Sequence, residues 1–229
     1  MQRRLSFAVA LTALVVAQSA HAVTLDFATI AENDGEQGAL SLVFSNVGGS
    51  GIDVTAIARA LADSTPPYDD AAPYAYLDAY FQGNPGGLGV CQQADCEGSD
   101  DDNIGLGEVA ILAFSAPVEI TRITLSNGIH EDSYRGKVGI HVGNGDPTTA
   151  EAFSDIFDAA AVLDLSLIGS RFSFVANESF VGSRIGDRSK IYIESLTFEP
   201  GFTNVPEPSS LLLLALGLAG LAARGRRSR

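Results

Sequence analysis

Two uncharged apolar runs, one near each end, divide this 229-residue chain and leave its middle as the part free to build a folded body. The first, Leu5 to Ala17, follows the basic Met1-Gln2-Arg3-Arg4 and precedes Gln18-Ser19-Ala20-His21-Ala22. A basic start, an apolar stretch of roughly 7–15 residues and an Ala-x-Ala exit are the three parts of a secretory signal peptide. Residues 1–22 are therefore expected to be removed after Ala22, with export through the general secretion machinery. The second run, Leu211 to Ala223, lies between the Pro-rich Val205-Pro206-Glu207-Pro208-Ser209-Ser210 and the cations Arg224, Arg226, Arg227 and Arg229. As a helix it would rise about 20 Å, short of the roughly 30 Å hydrocarbon core. Length alone suits a buried helix. The flanks favour a short transmembrane helix over 211–223, held transiently in the inner membrane with the Arg cluster as its cytoplasmic anchor.

The charge follows the same division. The formal net charge of −14 includes six cations at the chain ends, Arg3, Arg4, Arg224, Arg226, Arg227 and Arg229. Between them lie the other eight cations and all 28 acids, a formal −20 for the segment expected to cross the membrane. Such a segment excludes nucleic acid as a partner, because neutralising phosphates needs clustered Lys and Arg. It would also repel anionic polymers unless a cation bridges them. With 46% hydrophobic residues the chain can collapse around a core, which excludes intrinsic disorder. Two cysteines are too few for a disulfide-dense scaffold.

From Val23 to residue 199 short stretches of apolar and polar alternation recur between turn residues. Val23 to Phe27, Leu40 to Ser45, Ile52 to Ile57, Lys137 to Val142, Arg171 to Val175 and Lys190 to Phe198 read as strands, with Gly48-Gly49-Ser50-Gly51 as a turn. Glu108 to Ser115 and Val118 to Leu125 read as a hairpin. In its second arm Val118, Ile120, Arg122 and Thr124 would share one face and Glu119, Thr121, Ile123 and Leu125 the other. Only Thr149 to Ala161 has helical spacing, through Phe153, Ile156, Phe157 and Ala160. Many short strands with Gly-rich turns predict an all-β class, an antiparallel β-sandwich of jelly-roll type. Residues 200–204 would link it to the tail, 205–229.

The order Val205-Pro206-Glu207-Pro208-Ser209, short Leu/Ala/Gly helix, terminal Arg cluster resembles the PEP-CTERM sorting signal of Gram-negative bacteria. The resemblance implies an exosortase as partner, an integral-membrane cysteine transpeptidase that cuts near Pro206-Glu207-Pro208 and passes the protein to the cell surface or extracellular matrix. The catalytic groups would belong to that enzyme. A second resemblance rests on Ala75 to Phe81, Pro85 to Cys91, Ser99 to Asn103, Gly107-Glu108 and Phe114 to Val118. These stretches are similar to an exported domain that often precedes such tails, and the likeness implies class and location but no ligand.

Three groups of side chains could carry chemistry. Cys91 and Cys96 are expected to form a local disulfide in an oxidising compartment. Asp100, Asp101, Asp102, Asn103 and Glu108 could hold calcium in an irregular loop, since calcium takes six to eight oxygens, or could be a solvated acidic turn. Counting from Asp100, the EF-hand pattern fails at Ile104 and Ile111. If Pro73 to Phe81 is a strand, Tyr74, Tyr76 and Tyr80 with Asp78 line its outer face, an arrangement able to stack on sugars, while Ala75, Leu77, Ala79 and Phe81 turn inward. No Gly-x-Ser-x-Gly or His-Glu-x-x-His is present, and 28 acids offer no unique hydrolase pair. The expected role is therefore non-catalytic, structural or adhesive, in exopolysaccharide or biofilm. A carbohydrate-binding module, with or without calcium, and a glycan hydrolase stand as alternatives.

Overall fold

Asp26 decides where the first strand stops. In the computed structural model Val23–Asp26 is β1, and the chain then turns into helix α1, Phe27–Asp34, instead of carrying the strand on to Phe27. The Asp26 carboxylate accepts a hydrogen bond from the Thr29 N–H at 2.8 Å, satisfying one of the donors a helix start leaves open. Gly35, at φ 87°, ends the helix and donates its N–H to the Ala31 carbonyl. The helix buries Phe27, Ala28 and Ala31. The structure describes residues 21–61, 73–79, 83–91, 96, 102–105, 107–128, 130, 136–143, 145, 153, 155–159, 161–176 and 190–201. The expected signal peptide, transmembrane helix and sorting residues lie outside them.

The remaining strands are β2 (Gln37–Ala39), β3 (Leu42–Phe44), β4 (Val54–Ala60), β5 (Tyr74–Asp78), β6 (Gly87–Cys91), β7 (Glu108–Asn127), β8 (Gly136–Val142), β9 (Asp155–Ala159), β10 (Val162–Ala176) and β11 (Ile191–Pro200). They form one antiparallel sheet, so the all-β expectation holds. Three expectations are corrected. Glu108 to Leu125 is not a hairpin but part of one long strand. Its expected turn, around Pro117, falls where the β10 register jumps from Gly169↔Val118 to Arg171↔Ala113. A bulge bends the strand there, and proline's missing donor costs nothing where the ladder is already interrupted.

The faces of Val118 to Leu125 also change phase. Val118 and Ile120 are buried, and so are Ile123 and Leu125, because Thr121 is an extra residue between the pairs Phe198↔Ile120 and Thr197↔Arg122. One inserted residue flips every later side chain to the opposite face. Finally, Asp155 to Ala159 is strand, paired with β8, where a helix was expected over Thr149 to Ala161. The four-residue step from Phe153 to Phe157 fits a two-residue period as well as a helical one, and pairing along Gly136 to Ile140 decides between them.

β7 and β10 run through the whole sheet. Their one half, Glu108 to Phe114 with Arg171 to Ala176, is flanked by β4 and β3 on one side and by β8 and β9 on the other. Their other half, Val118 to Asn127 with Val162 to Gly169, continues through β11 to β1, β6, β5 and β2. Side chains from both halves share a single apolar core, which includes Val54, Ala56, Leu112 and Phe172 from the first and Leu77, Leu88, Ile193 and Leu196 from the second. Phe114 stands edge-on to both Phe172 and Phe198 at ring-centre distances of 5.6 and 5.2 Å, a favoured aromatic geometry that joins the halves.

Candidate functional site

β5 is buried on both faces. Ala75 and Leu77 enter the main core, while Tyr76, on the opposite face, packs against Cys91 and Cys96. This corrects the expected outward aromatic face: Tyr76 is 2% and Asp78 4% exposed, so neither can be laid against a sugar ring. Tyr74 is half-buried, and Tyr80 lies outside the described residues. Cys91 and Cys96 are joined by a disulfide, as their spacing and expected compartment suggested.

Beyond the disulfide, β5 ends at a polar cluster that the sequence did not reveal. Asp78 Oδ2 lies 3.0 Å from His130 Nε2. The His130 ring leans on the Tyr192 ring at 5.0 Å between centres. Tyr192 donates its hydroxyl to the Asp102 carboxylate and also lies within hydrogen-bonding reach of Asp78. At the margin the Tyr76 hydroxyl reaches Glu36 Oε2 at 3.4 Å.

Four separate segments converge to make this cluster. Gly89 lets the segment carrying Asp102 lie directly across β6, since a side chain there would strike the Asp102 carbonyl. The segment is then pinned to the head of β11 by reciprocal backbone bonds between Ile104 and Ile191, of 2.8 and 3.1 Å. On the far side of β7 the Gly128 N–H bonds the Lys190 carbonyl at 2.9 Å. The following turn holds His130 at φ 62°, a conformation uncommon for any residue but glycine.

Protonation follows from these surroundings. Burial raises the Asp102 carboxyl above its ordinary value and the charge of Asp78 adds to this, partly offset by the bond from Tyr192. Burial alone would lower His130, but its contact with Asp78 and the negative fields of Asp102 and Glu36 outweigh it and hold the imidazole above the usual histidine range. The Tyr192 hydroxyl is pushed far up by burial and by Asp78 and Asp102, so it remains a neutral donor. Tyr76 is raised in the same way, by burial first and then by Glu36, Asp78 and Asp102.

Of the expected calcium ligands, Asp100 and Asp101 lie outside the described residues. The other three do not form a solvated turn: Asp102, Asn103 and Glu108 are 7%, 2% and 1% exposed. Asp102 accepts from Tyr192 and from the Asn103 amide, and Glu108 Oε2 accepts the Gly105 N–H at 2.6 Å, which closes the turn into β7. Among the described residues no three His, Cys, Asp or Glu side chains are grouped so as to hold a metal ion. His130, which no sequence motif singled out, proves to be the centre of the polar cluster.

The family description "PEP-CTERM protein-sorting motif" matches residues 204–227, spanning the Pro-Glu-Pro tripeptide, the apolar run and the first three terminal arginines. This is a PEP-CTERM domain-containing protein. The motif marks a protein that is exported, processed by an exosortase and sorted to the cell surface. No curated protein and no solved structure matches the chain.

Proposed function

We propose that this PEP-CTERM protein is a non-catalytic structural or adhesive component of the cell surface or extracellular matrix, placed there by exosortase cutting near Pro206-Glu207-Pro208. The sorting motif at 204–227 carries the reading. In sequence terms, two prolines disfavour regular structure around Pro206-Glu207-Pro208, and a thirteen-residue apolar run before an Arg cluster is short for a stable anchor, which suits a temporary hold in the membrane. The body would be a β-sandwich of jelly-roll type. The passage of β7 and β10 through both halves of the sheet, with one core between those halves, supports that architecture.

The polar cluster supports a non-catalytic role. Its carboxylates, imidazole and phenol are hydrogen-bonded or ion-paired to one another in the interior. Such an arrangement stiffens a fold, whereas a catalytic acid or base must be able to reach a substrate. The buried Tyr76 gives the carbohydrate-binding alternative no platform on β5. The test is to replace Pro206, Glu207 and Pro208 together with alanine in the native host. The variant should remain in the inner membrane fraction while the wild type reaches the surface or medium. Equal surface delivery of the two would contradict the assignment.

A further inference from the structure

We propose that the cluster of Asp78, His130, Tyr192 and Asp102 is a pH-operated latch: protonated His130 holds the segments on either side of β7 against β5 and β11, and its deprotonation in alkaline medium releases them. This rests on the fold and is independent of the sorting assignment. Acting on His130 are Asp78 from β5, Asp102 from the segment before β7, Glu36 from the turn between α1 and β2, and the ring of Tyr192 from β11, while Tyr76 of β5 reaches Glu36 at the margin. Lys190, at the head of β11, holds the same turn through its backbone bond to Gly128.

Three carboxylates thus act on one imidazole, and two of them, Asp78 and Asp102, are buried. While the imidazole is charged, it compensates Asp78 at 3.0 Å and stacks as a cation on the Tyr192 ring. Once it is neutral, Asp78 and Asp102 repel each other with less compensation, and Tyr192 has no positive charge to supply. The left-handed backbone at His130 is then held only by a neutral hydrogen bond to Asp78 in place of a charge-assisted one, which weakens its hold on an unfavourable conformation. Opening would free 102–105 and the turn at Gly128 from the head of β11, to which the backbone bonds of Ile104 with Ile191 and of Gly128 with Lys190 tie them.

The fit to a switch lies in how the parts are connected. Asp102 and His130 come from opposite ends of the longest strand, and both meet the last described strand, so one proton governs whether both ends stay closed. The test is an NMR titration of imidazole resonances in the full chain held in detergent, with His130 assigned by the signal lost in His130→Gln. In the wild type, His130 should titrate above the usual value of roughly 6.5. The backbone resonances of Ile104 and Gly128 should move with the same midpoint. In Asp78→Asn the His130 proton should be held about tenfold less tightly, a downward shift of roughly one pH unit. A wild-type His130 titrating at or below the usual value would overturn the latch, and so would Ile104 and Gly128 resonances that ignore the titration. Sequential backbone assignment of the wild type identifies His130, Ile104 and Gly128 without the variants, so the wild-type titration decides the matter even if the variants fail to fold.

Discussion

The two faces of β5 show two ways of holding the same strand. On one face Ala75 and Leu77 are 1% exposed within the apolar core, where stability comes from area removed from water and is indifferent to pH. On the other, Tyr76 meets the disulfide and Asp78 meets His130, where stability depends on partners being present and correctly protonated. The first face tolerates any apolar group of similar size. The second is specific, and it makes the body of this PEP-CTERM protein sensitive to its medium.

The largest expected effect breaks the apolar side. Leu77→Ala should lower unfolding free energy by about 3 kcal/mol in urea denaturation, with the same loss at pH 6 and pH 9. A loss that changed with pH would mean the two faces are not separable. Removing the disulfide with Cys91→Ser and Cys96→Ser should cost about 2 kcal/mol, since the bridge closes a short loop, and should likewise be independent of pH in this range. Tyr192→Phe should cost about 1.5 kcal/mol by leaving the buried Asp102 carboxylate with the Asn103 amide but without the Tyr192 hydroxyl as a donor. The smallest effect belongs to the surface pair of Arg122 and Asp164, 2.7 Å apart but 56% and 71% exposed. There Arg122→Ala should change stability by less than about 0.5 kcal/mol, and added salt should shrink the difference further.

A pH series sharpens the comparison through its sign. His130 is raised in the fold, so its contribution is complete below roughly pH 6.5, its unfolded value, and is lost as pH rises through the folded value. Asp102 is also raised, so its contribution is complete below roughly pH 3.8 and is lost as pH rises through its own folded value. Both favour the fold in acid. Melting temperature should therefore fall as pH rises from about 6 to 9 in the wild type and in Leu77→Ala alike, and this slope should flatten in His130→Gln. A slope unchanged by His130→Gln would place the pH sensitivity elsewhere on the acidic body.

What the sequence allowed one to read depended on whether the signal was local. The tail could be read because Pro206, Glu207, Pro208, the apolar run and Arg224 to Arg229 act as a linear string whose meaning does not await folding. The strands around Val54 to Ala60 and Ile191 to Phe198 were legible from alternation alone. The helix after Asp26 was missed although its cap, Asp26, and its stop, Gly35, bracket eight residues, because Val23, Leu25 and Phe27 alternate like a strand across the cap. The bulge at Thr121 leaves no mark in composition, yet it reversed half the face assignment of β7. The cluster itself was out of reach. Asp78, Asp102, His130 and Tyr192 span more than a hundred positions in sequence, and only the close crossing at Gly89 and the bonds to the head of β11 bring them together.

The central assignment is the sorting of this body by its tail, and intact-mass measurement in the native host tests it most directly. With exosortase present, the mature protein should have lost Arg224, Arg226, Arg227 and Arg229 and should end near Pro206 to Pro208. Without exosortase, it should keep all four arginines and stay with the inner membrane. A mature protein that keeps its arginines in the presence of the enzyme, or ends at the same place without it, would contradict the account.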